Sequence, residues 1–543
     1  MDLNALTRDV ELLWIAVAAP LVLVATIVLS VRLRAPQVLQ LREAFRALRA
    51  HDPTASGTVP PATSVVLSAV ATYGAAGAVG AATAVSLGGA GAIAWVWLFT
   101  LLLAPLRVGE ALLARTAPPG QAGARTGSLA GRLMAEPGGG LRALGWALLV
   151  LVPLVGLAFY GGVHGQAVAD ASERLLPGSA LTVGLVVAAA GALFALVPLQ
   201  RGGSILGWIG LVALVTLFGA ACVAFFSEPG RAFGGFGRAI LDAIYDAPST
   251  AAFSGATAGE IAYAAMLHVL PPIAATTGVD GALHAEAQAT TTRRQAASAL
   301  LAPLVFGVIT TVLGLALVAT GAFARPVEDH RSIAELRSYS VGFDTVSQRE
   351  EADRRFTGIL RISEGSIGPI ANELATERGM VVAPRFVDRG EPADVMLRYR
   401  DGQVQELQRR GTLGVLERAP LEDVGQIEVH GRMLPRGGLL LAETMGHAGG
   451  SVLARIALAA LLVLAALGAA AWGAGIARTL RAKLSPAVAR WTALLPAVGL
   501  ALAALGVVPW LGLLGSALAG VLTIVSVLAL VLRAGQAGQL LKK

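Results

Sequence analysis

Asp280 and His284 stand four residues apart in an apolar stretch, with Glu286 close behind. On a continuous helix that spacing puts a carboxyl group and an imidazole on one face, where they can pair and exchange a proton. Ionisable groups inside a membrane segment are functional candidates by default, so Asp280 and His284 are read as coupling or gating residues. Arg107 and Glu110 are three apart in another apolar stretch; they can pair across one helical turn and read as a structural or gating contact rather than a substrate contact. Two apolar segments are interrupted, one at Tyr73-Gly74-Ala75-Ala76-Gly77-Ala78-Val79-Gly80, the other, which runs on into Asp280, at Pro271-Pro272 followed by Thr276-Thr277-Gly278. A broken membrane helix leaves half-helix N-termini that attract a carboxylate and free carbonyls that attract a cation. The substrate-binding candidates are therefore Gly74, Gly77, Gly80, Thr83, Thr276, Thr277 and Gly278, around a ligand with the chemistry of a small zwitterion.

The elements that must hold these residues are membrane helices. Of 543 residues, 55% are hydrophobic and 14% charged, and the mean hydropathy is +0.68; so apolar a chain has to face lipid. Its apolar runs are of helix length rather than alternating ten-residue segments, which predicts a helical bundle and not a barrel. The 65 glycines and 5% aromatic content favour close helix packing. A window of about 20 residues finds about eleven candidate spans between Leu12 and Leu532, the interrupted ones being Ala62 to Leu87 and Glu260 to Gly281. With the first span set aside, the others divide five and five, and each group opens on an interrupted span that enters from the opposite side. That is the pattern of an inverted repeat around a midplane site.

The formal charge of +7 and pI near 10.0 come from arginines in short loops. Arg32, Arg34, Arg42, Arg46 and Arg49, then Arg293 and Arg294, then Arg478, Arg481 and Lys483 fall on one side when the N-terminus is outside and the C-terminus cytoplasmic. The basic balance is thus one of orientation in lipid, with no call for nucleic acid. The first span, with its acidic flank ahead of it, is not read as a cleaved signal. The lone Cys222 excludes an intrachain disulfide and a thiol metal site.

Residues 324–449 break the apolar pattern and divide the chain into membrane helices over 1–323, an outer-face insert, and membrane helices over 450–543. The insert is dense in charge, as at Glu350, Glu351, Asp353, Arg354 and Arg355. Strand-like runs lie at Met380 to Val382, Val395 to Tyr399 and Ile427 to Val429, and Asp401-Gly402 signals a hairpin. Ile370 to Ala375 reads as a short helix, so a small α+β domain is expected, solvated on its surface and with any partner unidentified. His330, His430 and His447 are too scattered for metal-ligand spacing. An enzyme has no support: the spans hold no H-E-x-x-H and no G-x-S-x-G.

The run Gly80-Ala81-Ala82-Thr83-Ala84-Val85-Ser86-Leu87-Gly88-Gly89-Ala90-Gly91-Ala92, then Trp95-Val96-Trp97 and Arg107-Val108-Gly109-Glu110, resembles the bacterial sodium:alanine (alanine or glycine:cation) symporter family. Collinear support comes from Arg32 to Gln37, from Ala232-Phe233-Gly234-Gly235-Phe236, from His284-Ala285 and from Arg294-Gln295. The resemblance implies an all-α LeuT-like bundle of the 5+5 kind in a bacterial inner membrane. It implies symport of a small neutral amino acid, alanine or glycine, with Na+ as the coupling ion; Asp280, His284 and Glu286 leave H+ as the alternative. The family's Asn in the first broken helix is Gly77 here, and its Ser-Thr pair falls at Leu464-Ala465. A sodium site is thereby left to main-chain carbonyls and Thr83, the metal-ligand candidate. The same losses fit a transport-incompetent relative that senses through its outer domain.

Overall fold

A computed structural model covers residues 1–543. It describes all of them except 1–2, 51, 55–56, 117–126, 137, 176–179, 246–257, 290, 336–337, 342–355, 368–372, 377–378, 401, 411–414, 434, 436, 507, 509 and 543. The chain forms two units, Met1–Gly321 with Arg436–Lys543, and Ala322–Pro435.

The first unit is a bundle of apolar helices. They are α1 (Leu6–Arg32), the pair α2 (Pro61–Tyr73) and α3 (Ala76–Gly88), α4 (Gly91–Arg115), α5 (Gly139–Ala169), α6 (Ala180–Leu196) and α7 (Leu199–Ser227). The second interrupted segment gives α8 (Ala258–His268), α9 (Leu270–Ala274) and α10 (Asp280–Ala285), followed by α11 (Thr292–Thr320), α12 (Gly437–Leu480), α13 (Pro486–Ala504) and α14 (Leu511–Leu532). Among the described residues, eight helices are long and apolar enough to cross a membrane, or nine when α2 and α3, bent by 46°, count as one span. Two of the expected spans are shorter, at Ala180–Leu196 and Ile261–Ala274. The protein is a multi-pass membrane protein.

Packing shows why lipid is the solvent. On α7, Ile205, Trp208, Val212 and Val215 are each more than half exposed, whereas Leu206, Gly207, Gly210, Ala213, Leu214 and Leu217 are buried. The outward stripe is large and apolar where a helix in water would be polar, and the inward one mixes glycine and alanine with leucine. The two interrupted segments lie inside the bundle: α2 packs on α7, α10, α11 and α12, while α10 also packs on α4 and α12.

The second unit corrects the α+β expectation, since its described elements are strands and 3-10 turns. One sheet runs β1 (Val327–Ser332), β10 (Ile427–Met433), β5 (Gly379–Asp388), β4 (Glu373–Thr376), β2 (Ser338–Val341), with β6 (Glu391–Pro392) also on β5. The other runs β3 (Gly358–Ile362), β7 (Val395–Arg400), β8 (Gln403–Arg410), β9 (Leu416–Ala419). Val395, Leu397 and Tyr399 alternate inward against Leu360, Ile362, Phe386 and Val429, and Arg398 and Arg400 point out. The hairpin after Tyr399 is present in the pairing of Arg400 with Gln403. The helix expected over Ile370–Ala375 is contradicted where it is described, because Glu373–Thr376 pairs with β5; sheet pairing overrides local helix preference. Residues 350–355 lie outside the described residues. The insert also ends earlier than 449: α12 begins at Gly437 and runs across a kink at Gly449 and Gly450, the latter at φ +71°.

Candidate functional site

The break between α2 and α3 falls at Gly74, where φ +44° and ψ −149° turn the chain out of helix. A β-carbon there would collide with the His164 ring, so glycine is required twice over. His164 lies at the end of a π-helical stretch of α5, Gly156–His164, and its Nδ1 accepts from the backbone N–H of Ala75 (3.1 Å) and Ala76 (3.2 Å). The ring stacks on Tyr160 at 3.9 Å, and Tyr160 donates to the Ala465 carbonyl at 2.8 Å. His164 thus accepts from amides at the start of α3, groups an α-helix leaves open at its N-terminus.

The second break spans Ala275 to Val279, with Gly278 at φ +106°. Two side chains from α4 hold it. The Glu110 carboxylate accepts from Gly278 N (3.0 Å) and Gly281 N (2.8 Å) through one oxygen, Oε1. Arg107 donates to the Ile273 carbonyl and to Thr276 Oγ1, and its Nη1 is 3.9 Å from Glu110 Oε2. Both side chains are fully buried. The three-residue spacing is thus only part of their arrangement: the pair grips the unwound segment from both ends.

A polar seam joins the two broken segments. Ser64, Ser68 and Thr72 recur every fourth residue on α2 and are all buried. Ser68 donates to Asp280 Oδ1, Thr72 and Thr276 hydroxyls lie 3.3 Å apart, and Gln295 Nε2 donates to Ser64 at 2.8 Å. Asp280 Oδ2 is 3.8 Å from His284 Nε2. Ser526 on α14 donates to the Thr277 carbonyl at 3.2 Å, while the Thr277 hydroxyl is buried with no hydrogen-bond partner. The hydroxyl stripe escaped the sequence reading, though its four-residue period on a predicted helix was available as a signal.

The structure brings together Arg107, Glu110, Thr276, Thr277, Gly278, Asp280 and His284. Three other candidates stand apart on α3. A β-carbon on Gly77 would meet the Phe306 and Tyr73 rings at 3.0 to 3.3 Å, and one on Gly80 would strike the His268 carbonyl, so at both positions the missing side chain permits close packing. Thr83 is half-buried and donates to the Val79 carbonyl one turn back at 2.9 Å. At the Leu464-Ala465 position the Ala465 carbonyl is engaged by Tyr160, and the Ala71 carbonyl accepts from Trp472 Nε1 at 3.2 Å.

The profile of the sodium:alanine symporter family matches residues 2–341. Its match takes in both broken segments and the α4 pair and stops before α12. A probable sodium/glutamine symporter, GlnT of Bacillus subtilis (strain 168), is 27% identical over 219 residues, which is 40% of this chain and 45% of that protein. The chain therefore aligns with less than half the length of that curated relative. The family match covers well over half of the 543 residues, and the chain belongs to the sodium:alanine symporter family.

Proposed function

We propose that the protein is a secondary active transporter of LeuT-like 5+5 organisation that imports a small neutral amino acid, alanine or glycine, coupled to sodium. The observation that carries the reading is the buried seam between two interrupted helices, Ser68 on Asp280 and Thr72 beside Thr276. Broken helices facing each other across a polar seam give alternating access a place to act, and family membership supports a symporter. The relative named for glutamine keeps the substrate within neutral amino acids and adds glutamine to those worth testing. In this reading Thr276, Thr277 and Gly278 line the substrate path, the Glu110–Arg107 grip sets its shape, and the Thr83 oxygen contributes to sodium binding. The N-terminus and insert lie outside a bacterial inner membrane and the C-terminus is cytoplasmic.

The test is uptake of labelled alanine, glycine and glutamine into proteoliposomes under an imposed sodium gradient, with binding measured in parallel without one. Sodium-driven accumulation is expected, and Thr83→Ala weakens its sodium dependence. Absence of binding and uptake for every neutral amino acid overturns the transporter reading in favour of a sensor. Accumulation indifferent to sodium overturns the coupling.

A further inference from the structure

We propose that Asp280, with His284 beside it, is a proton-binding site whose occupancy controls the contact between the two interrupted helices, so that a proton moves with the amino acid. This rests on the transporter reading above and adds a proton to the sodium ion as a second coupled cation.

Asp280 and His284 are 1% and 0% exposed, inside the bundle. Asp280 Oδ1 accepts from Ser68, but Oδ2 has no hydrogen-bond partner, and neither has the facing His284 Nε2. The other ring nitrogen fixes the tautomer. Gln295 Nε2 lies 2.9 Å from His284 Nδ1 while also donating to Ser64. An amide nitrogen has only hydrogens to offer, so Nδ1 accepts and the ring hydrogen sits on Nε2, towards Asp280. The space at Oδ2 is therefore edged by an N–H and a hydroxyl. Sodium needs several oxygen lone pairs around it; a proton needs only the carboxylate oxygen.

The charged groups that face this pair are otherwise committed. From α4, Arg107 holds Ile273 and Thr276, Glu110 caps Gly278 and Gly281, and Arg115 donates to the His284 and Ala287 carbonyls at 2.8 and 2.9 Å. From α12, Arg478 pairs with Glu286 at 3.0 Å. From α2 come only the hydroxyls of Ser64, Ser68 and Thr72, and from α11 the Gln295 amide. Among the described residues Asp280 has no ion-pair neighbour other than His284. Asp280 Oδ2 is a buried carboxylate oxygen outside any hydrogen bond, and a proton bound there removes an uncompensated charge from the seam. When a proton from water binds Oδ2, the charge-assisted bond from Ser68 becomes a neutral one of about half the strength. The tie between α2 and α10 loosens, and no covalent bond to carbon is made or broken.

The experiment is infrared difference spectroscopy of the purified full chain across a pH titration, with labelled-amino-acid uptake under an imposed pH gradient as a second arm. The carbonyl band of a protonated buried carboxyl group should grow as pH falls, vanish in Asp280→Asn and return in Asp280→Glu. In Ser68→Ala its midpoint should move to higher pH, because the charged form has lost its donor. The pH gradient should drive uptake in the wild type and not in Asp280→Asn. A wild type without the band, or an unchanged band in Asp280→Asn, overturns the proposal. If no neutral amino acid is taken up under any gradient, the transporter reading falls, and the infrared arm still decides the proton site.

Discussion

Glu110 offers the sharpest test of how the second broken segment is held. Its one oxygen takes two buried backbone N–H groups, from Gly278 and Gly281, each a hydrogen bond to a charged acceptor worth about 1.5–3 kcal/mol. Glu110→Ala removes both, about 3–6 kcal/mol in all. Glu110→Gln keeps an oxygen in place with the charge gone, retaining about half of that strength. Both variants leave Arg107 without its buried counter-charge, so that cost cancels between them. The Ala variant should therefore be less stable than the Gln variant by about 1.5–3 kcal/mol. The assay is an unfolding titration in mixed micelles followed by tryptophan fluorescence, with hydrogen exchange read over residues 276–285. Exchange there should accelerate in Glu110→Ala more than in Glu110→Gln. If the two variants unfold at the same midpoint and protect this segment equally, the carboxylate is not what holds it.

Three further outcomes follow from the same contacts. His164→Ala strips the acceptor from Ala75 N and Ala76 N and should cost about 1–3 kcal/mol, with faster exchange of those two amides. Gly468→Ala would drive a β-carbon into the Tyr160 hydroxyl; a cost of about 1–3 kcal/mol is expected, and Tyr160→Phe in the same chain should restore part of it, whereas additive losses would refute the contact. In the second unit, Arg409 takes both oxygens of Asp388 at 2.7 and 2.9 Å and also reaches Asp423. Arg409→Ala in the full chain should raise protease cleavage within residues 322–435, and unchanged cleavage would show the cluster to be dispensable.

Much of this architecture was legible, and the failures have physical causes. Hydropathy finds the helices because lipid leaves no alternative for the backbone. Gly74 and Gly278 betray the breaks because positive φ there demands glycine. The Arg107–Glu110 pair was visible as a pair, but apart from the Thr276 hydroxyl its targets are backbone atoms more than 160 residues away, as in the Gly278 N–H to Glu110 bond with a separation of 168. Main-chain partners carry no side-chain signature, which also hid what His164 does. At glycines 77 and 80 close helix contact and close ligand contact ask for the same missing side chain, so residue type alone does not separate the two. At the end of the insert the helix Gly437–Leu480 bends at Gly449 and Gly450 and continues, so its first turns lie within the segment 324–449.

The chain enters and leaves the β-rich unit on adjacent antiparallel strands, with Val327 opposite Met433. Its two ends are thus separated by one inter-strand spacing, about 5 Å. A module with ends so close can be spliced into a short connection between two helices without stretching either, the geometry by which domains are gained and lost in evolution. It can also be cut out at 326 and 434 and the gap closed with a few glycines and serines. Such a deletion separates the contribution of the module from that of the bundle in a single chain.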